Sequence, residues 1–403
     1  MNRGSQNILY DAVIVGRGAV GVASALGLSR LGLRVALVAP AVQAEGAQEG
    51  WDARVFAISP ASRDLLRRLR VWDAIDHQRV APVYDMRIWP DTRVDAPELR
   101  FGAYESCVDA LAWIIEGRNL GAALERGLAF AGVDLIDGSV AGIDVSDPAR
   151  TRLSLAQGCS VDARLLIAAD GARSPTRALL GIPVEEYEYP QGAIVANFET
   201  ARPHRDCAYQ WFGSHGILAV LPLPGNRCSI VWSAPKERIP GLLEITHEAF
   251  SREVAELASG MLGALSVITP PQRFPLRMIR VERVIAPRAV LVGDAAHAVH
   301  PLSGQGMNLG FGDVGALLET FERREPFRDL GDRLLLRRYE RARREPVATM
   351  RATTDGLQRL FDPDSALGLP PALRPLADLR EVGWRLVQHS PWLKRRLIAH
   401  AAS

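Results

Sequence analysis

The sequence predicts an α/β fold: a Rossmann-like, parallel-sheet domain is interrupted by a β-sheet domain of α+β character and then completed, with helices at the carboxyl end. Three observations lead there. A glycine pattern, Gly16-x-Gly18-x-x-Gly21, falls between an apolar run and a run of helical periodicity. Residues 187–285 switch to strand-like alternation rich in prolines and aromatics. Residues 290–292 then resume the buried-strand texture and open a second glycine-rich stretch, VGDAAHAVHPLSGQGMNLG at 292–310.

Residues 11–15 read as a strand whose continuous apolar part, after Asp11, is 12–15, as a parallel strand buried on both faces requires. Residues 19–31 carry Val22, Ala25, Leu26 and Ser29 at helical spacing, and residues 34–38 read as the next strand, completing a βαβ unit. A loop rich in Gly, Gln and Glu follows at 43–50, then helical periodicity at 62–75, extended chain with turns at 86–97, and a long helical pattern at 109–130. Residues 133–136 and 152–155 read as strands, and the apolar run 164–169 ends at Asp170-Gly171. Residues 193–198, 216–223 and 228–233 alternate as strands of the second domain, and 312–322 reads as a helix. From 332 onward the chain is helical and arginine-rich, with Arg337, Arg338, Arg341, Arg343 and Arg344 in one stretch. The expected division is 1–77, 103–186 and 286–331 for the discontinuous first domain, 78–102 and 187–285 for the sheet domain, and 332–403 for the helical region.

With 403 residues, 48% hydrophobic and 23% charged, the chain is long enough for two or three domains with substantial cores. A formal net charge of +2, with basic residues massed only in the last third, argues against a nucleic-acid partner. Cys107, Cys159, Cys207 and Cys228 lie far apart without a C-x-x-C pair, so neither a zinc site nor a disulfide framework is indicated and a reducing cytoplasm fits. No apolar run approaches the roughly 20 residues needed to span a bilayer. The apolar stretch at 12–15 is broken by Gly16 and Gly18 too early for a signal peptide.

The glycines carry the first chemistry. Gly16 permits a tight turn, Gly18 lets backbone approach a pyrophosphate, and Gly21 lets the helix pack closely on the strand. The helix opening with Ala19 and Val20 then offers unpaired N–H groups and a positive dipole end to phosphates. One expected piece is missing. The second strand of a dinucleotide site ends in Asp or Glu for the ribose hydroxyls, yet Val38 is followed by Ala39-Pro40. Glu45 or Arg54 substitutes from the next loop, or backbone and water hold the ribose.

At Asp170-Gly171 a turn closes a strand, with Arg173 and Arg177 within reach of phosphate charge; a capped helix start with solvated arginines explains the same residues equally well. At Gly293-Asp294 a carboxylate follows a strand directly, where it can accept hydrogen bonds from sugar-alcohol hydroxyls, and Pro301, Gly304, Gly306 and Asn308 bring a second turn and helix start toward the same ligand. His297 and His300 have i, i+3 spacing but no third ligand nearby, which favours structural or supporting histidines over a metal site.

These three segments, in this order, resemble the flavoprotein aromatic hydroxylases, the class A monooxygenases related to p-hydroxybenzoate hydroxylase. Within that class the chain is most similar to the ubiquinone-biosynthesis hydroxylases (the UbiH/UbiF/COQ6 family). The resemblance rests on Arg54-Val55-Phe56-Ala57-Ile58-Ser59 with Trp72, Ala112-Trp113-Ile114-Ile115-Glu116, Leu218-Ala219-Val220-Leu221-Pro222, the stretch from His300 to Gly310, and Arg338-Tyr339-Glu340-Arg341. It runs from about Tyr10 almost to the end.

The resemblance implies FAD as cofactor, held by Gly16, Gly18, Ala19, Val20, Gly21, Arg54, Asp170, Gly171, Gly293, Asp294, Pro301, Gly304, Gly306, Met307 and Asn308. It places Pro301, Gly304, Gln305 and Gly306 beside the flavin ring. It also implies transient NADH or NADPH binding without a second Rossmann domain, and oxygen transfer from O2 to an activated aromatic ring through a flavin hydroperoxide. That accounts for the lack of any triad, paired-carboxylate or metal pattern. The implied substrate is a polyprenylated phenol or benzoquinol of ubiquinone biosynthesis. The segment 384–399, apolar with Lys394, Arg395 and Arg396, either docks on the inner face of the membrane or a pathway partner, or packs on the body. Tyr209, His215 and Arg227 are equal candidates for assisting phenol deprotonation. Two alternatives are a hydroxylase of a small soluble aromatic acid and a non-catalytic flavin-binding accessory subunit. A halogenase is disfavoured, because W-x-W-x-I-P is absent.

Overall fold

The computed structural model describes residues 8–41, 50–90, 98–298 and 306–361. Glu45, His300, Pro301, Gly304, Gln305 and the 384–399 segment lie outside the described residues.

Three sheets organise the chain. In the first, β1 (Leu9–Val15) is central and parallel to β2 (Val35–Ala39) on one side and β11 (Ser160–Ala168) on the other. Beyond β2 lies β8 (Asp134–Asp137), and beyond β11 lies β18 (Ala289–Leu291), both parallel, with β17 (Ile285–Ala286) closing that edge. The antiparallel pair β9 (Val140–Asp144) and β10 (Thr151–Leu155) extends from the start of β11. Ala12, Val13 and Ile14 are fully buried, because helices cover one face and the β9–β10 ribbon the other. The pairing of Leu166 with Ala289 shows that residues following the strands of 184–281 complete this sheet.

A three-stranded sheet holds β3 (Val55–Ile58), β7 (Ala112–Glu116) and β4 (Val80–Val83), with β7 central. The helical pattern expected across 109–130 therefore divides: 112–116 is strand, and helix begins only afterwards. The β-branched pair Ile114-Ile115 has a strand on each side, and this two-sided pairing overrides local helical periodicity.

The third sheet runs β19 (His297–Ala298), β16 (Leu265–Val281), β12 (Val184–Thr200), β15 (Arg227–Pro235), β14 (Gly216–Leu223), β13 (Cys207–Gly213), β5 (Asp85–Trp89) and β6 (Leu99–Gly102). The stretch 78–102 thus splits at Tyr84, with β4 in the three-stranded sheet and β5 and β6 in this one.

Eight helices are described. On the first sheet lie α1 (Ala19–Arg30), α2 (Pro60–Arg68), α3 (Gly117–Ala129), α7 (Gly306–Glu322) and α8 (Arg333–Phe361), with short α4 (Pro175–Leu179) after β11. Ser59 caps α2, its Oγ accepting from the Ser62 N–H, and Pro60 supplies the first-turn φ. The helix is shorter than the expected 62–75, ending at Arg68 just before Arg70 at φ +55°. One face of the third sheet is covered by α5 (Ile239–Glu244) and α6 (His247–Leu257), burying Trp232, Phe198 and Phe250. On its other face Ala208 and Leu223 pack with Val83 and Ile114 of the three-stranded sheet. No helix among the described residues is long and apolar enough to cross a membrane.

Candidate functional site

The β1–α1 turn requires its glycines for different reasons. Gly16 sits at φ +111°, and a Cβ there would stand 2.3 Å from the Ala169 carbonyl oxygen of the neighbouring strand end. A Cβ on Gly21 would stand 2.1 Å from the Gly16 carbonyl oxygen, so helix and turn touch through backbone alone. Around Gly18 no heavy atom of the described residues lies within 4 Å of the Cβ position. Gly18 is also the N-cap of α1 and provides no side-chain cap, which leaves the first-turn N–H groups without a capping side-chain acceptor. That is a cradle for a phosphate-bearing group.

The second glycine stretch meets this turn. Val20 lies between its two ends: a Cβ on Gly293 would be 3.2 Å from Val20 Cγ1, and one on Gly310 would be 2.5 Å from Val20 Cγ2. Residues nearly 300 positions apart in the chain thus share one wall of the cleft. Gly293 turns at φ +59° and delivers Asp294 to the cleft, exposed. Protein walls the open slot closely enough that burial raises the Asp294 carboxyl above its usual range, against the opposing fields of His297 and Arg54. The Arg54 side chain is exposed, with its guanidinium 5.3 Å from the Phe56 ring. At the start of α7, the Cβ position of Gly306 meets no atom of the described residues within 4 Å, and Met307 packs on the first core.

Asp313, which no motif singled out, organises the turn from beneath. Fully buried on α7, it accepts from the Gly293 N–H at 2.8 Å and from Arg343 Nε at 2.7 Å, and it pairs with His297 Nε2 at 2.8 Å. Burial alone would raise its carboxyl, but His297, Arg343 and the Gly293 amide hold it below its usual value. Arg343 also donates to the Leu309 carbonyl, and Tyr339 Oη to that of Leu291, so α8 locks both ends of the turn. His297 is thereby a supporting residue. Among the described residues no cluster of three or more His, Cys, Asp or Glu is placed to hold a metal.

Three expected ligand contacts are turned elsewhere. Asn308 donates from Nδ2 to the Ala57 carbonyl at 2.8 Å and accepts the Ser59 N–H at 3.0 Å, so its amide braces the start of α2. Asp170 accepts from Ser174 Oγ and from the Thr176 N–H, capping α4. Arg177 is buried, its guanidinium donating to the carbonyls of Ala295 and Ala172 at 2.9 Å, so it clamps the two turns together and does not face phosphate. Gly171 stays open, with no atom within 4 Å of its Cβ position.

The acid absent from β2 has a neighbour. Asp137, exposed at the end of β8 and paired with Ala39, accepts the Ala41 N–H at 2.8 Å through Oδ1. Only strand order brings that carboxylate to the β2 terminus.

The loop carrying Arg54 is fixed across sheets. Asn197 Nδ2 on β12 donates to the Asp52 carbonyl at 2.7 Å, and Glu116 on β7 takes both the Asp52 N–H and a two-pronged contact from Arg79. Trp51 lies against the Arg79 guanidinium at 4.3 Å and that of Arg227 at 5.4 Å. Arg227 is thereby placed as a cation beside this loop and not as a base. His215 lies exposed at the β13–β14 hairpin with Nδ1 held by Arg238. Tyr209 points to the α6 side, packed against the stacked pair Trp89 and Trp211, and its hydroxyl donates to the His204 carbonyl; burial pushes its phenol well up. Tyr209 is therefore removed from the candidate bases.

Comparison with known proteins agrees with this geometry. Residues 9–354 match the family model described as FAD binding domain. The ubiquinone hydroxylase UbiL of Rhodospirillum rubrum is 33% identical over 99% of this chain and 90% of its own length. The 3-demethoxyubiquinol 3-hydroxylase of Escherichia coli is 32% identical over 97% of this chain and 98% of its own. Among solved structures, p-nitrophenol 4-monooxygenase PnpA of Pseudomonas putida superposes with a TM-score of 0.73 at 18% identity, covering 97% of both chains. Klebsiella pneumoniae HpxO complexed with FAD does so with 0.73 at 16%, covering 96% of both, a likeness of fold. The chain belongs to the FAD-binding-domain family of flavoprotein monooxygenases and, within it, to the ubiquinone-biosynthesis hydroxylases of the UbiH/UbiF/COQ6 type.

Proposed function

We propose that this enzyme hydroxylates the ring of a polyprenylated phenol or benzoquinol on the route to ubiquinone, using NAD(P)H and O2. The observation that carries the reading is the meeting of the two glycine stretches at Val20, which sets the α1 amino end beside the turn that carries Asp294. The family's cofactor, FAD, supplies the redox chemistry when bound. The open N–H groups at Gly18 and Ala19 take its pyrophosphate, and Asp294 accepts hydrogen bonds from its sugar alcohol. Asp137 takes the place of the carboxylate that β2 lacks. The amino-terminal N–H groups of α7, at Gly306 and Met307, offer positive charge to the ring side, and Pro301, Gly304 and Gln305 precede them in the same stretch of sequence. Asn308 serves there through backbone, since its side chain is spent on Ala57 and Ser59. Residues 1–77, 103–186 and 286–331 act as the cofactor domain, with β4 joined to it, and the third sheet supplies the substrate side.

The names of the R. rubrum and E. coli relatives support a ubiquinone-pathway substrate. Mass spectrometry of quinone intermediates in a deletion strain tests the reading. The expected result is loss of ubiquinone with accumulation of one prenylated precursor. Unchanged ubiquinone, together with turnover of benzoate-like acids by the purified protein, would transfer the assignment to a small soluble substrate.

A further inference from the structure

On the side of the Gly293 turn away from the cleft, a cavity of about 290 Å³ opens between the end of β16, residues 282–284, β19 and α8. This is near the lower end of the range for small-molecule sites, roughly 300–1,000 Å³. Its lining has two parts. Val281, Val284, Val347 and Ala348 form an apolar wall. Around it stand Arg280, Arg283, Arg343, Arg344 and Arg351, against Asp313, Glu282 and Glu340, five cations to three anions. Asp313 and Arg343 neutralise one another at the floor, which leaves four arginines to two glutamates. Arg280 shares its charge with exposed Glu185 at 3.2 Å. Among the described residues, no carboxylate forms an ion pair with Arg283 or Arg344, and Arg283 donates only to the Gly181 carbonyl, at 3.4 Å.

We propose that this cavity binds a phosphate ester carried on an apolar stem. Guanidinium groups present a planar fork of donors that matches phosphate oxygens, and the valine and alanine wall takes the stem. Arg283 and Arg344, which no carboxylate pairs among the described residues, place two guanidinium charges on one concave surface, and an anion there relieves their repulsion. The site is also mechanically connected: its floor is the Arg343–Asp313–Gly293 chain of hydrogen bonds, so an occupant bears on the turn that presents Asp294. The phosphate belongs either to a lipid headgroup at a membrane surface or to a soluble ester.

The test uses the full-length, FAD-loaded protein. Titration with inorganic phosphate reads the soluble arm, and co-sedimentation with phosphatidylcholine vesicles, with and without phosphatidylglycerol, reads the lipid arm. Binding in either arm, falling at least tenfold in Arg283→Glu/Arg344→Glu and less than twofold in Arg337→Glu/Arg341→Glu, supports the site. Both double variants change charge equally, but only the first alters the cavity. Binding by phosphate alone assigns a soluble ester, and binding by anionic vesicles alone assigns a headgroup. No binding in either arm, or equal loss in both variants, overturns the proposal.

Discussion

The carboxylate of Asp313 accepts the backbone N–H of Gly293 at 2.8 Å, tying a buried charge on α7 to the turn that presents Asp294. The same carboxylate balances Arg343 and His297, so removing it leaves a largely buried guanidinium without its carboxylate partner. Asp313→Ala is expected to cost about 3–5 kcal/mol of stability, the usual penalty for breaking a buried pair, and denaturant unfolding checks it. The pH dependence has a definite sign. Because the folded-state carboxyl lies below its unfolded value, its contribution is fully present above the ordinary carboxylate pKa of about 4 and is lost as pH falls through the depressed folded value. The variant should show a shallower loss of stability on acidification.

Asp294 behaves oppositely. Its carboxyl is raised by burial, so its charged form is a burden to the folded apoprotein, one that grows as pH rises through the folded value. Asp294→Ala is therefore expected to leave apoprotein stability at neutral pH unchanged or higher, while FAD affinity falls at least tenfold. Melting curves and flavin fluorescence titration separate the two effects. Retained affinity would remove Asp294 from the site.

The glycines of the β1–α1 turn divide by the same pair of measurements. Gly16→Ala and Gly21→Ala place a methyl against backbone, at 2.3 and 2.1 Å, and should destabilise the apoprotein by roughly 2 kcal/mol or more. Gly18→Ala meets nothing within 4 Å and should leave the apoprotein intact while weakening FAD binding.

Asp137→Ala tests the displaced ribose acid. Its exposed carboxylate accepts the Ala41 N–H at 2.8 Å. FAD affinity should fall severalfold with little change in melting temperature, and unchanged affinity would leave the ribose to backbone and water.

Tyr209→Phe removes one hydroxyl bonded to the His204 carbonyl on the α6 side of the sheet. A stability loss of about 1 kcal/mol is expected, with kcat and its pH profile unchanged. A displaced pH profile would return Tyr209 to the candidate bases.

Much of the architecture is legible in the chain because its signals are local. The apolar run ending at Gly16, the helical spacing after Ala19, and the Gly293-Asp294 turn each follow from backbone sterics and periodicity over a few residues, as do the alternating strands of the third sheet. The helical pattern over 109–130 misleads for the complementary reason: Ile114 and Ile115 are claimed by strands on both sides, and strand pairing is invisible to a window of sequence.

The amino-acid sequence alone determined the class of ligand, through glycines whose spacing has one dominant steric use, and the order in which the two domains interleave. Tertiary structure alone decided which polar groups remain available to that ligand. Asp170, Arg177 and Asn308 look alike in sequence as contacts, but each is consumed by backbone partners at Thr176, Ala295 and Ser59. Asp313 and Asp137 carry no motif, yet packing brings one beneath the Gly293 turn and the other to the end of β2. Hydrogen-bond donors and acceptors are satisfied by whichever group the fold brings near, and that choice is made between residues far apart in the chain.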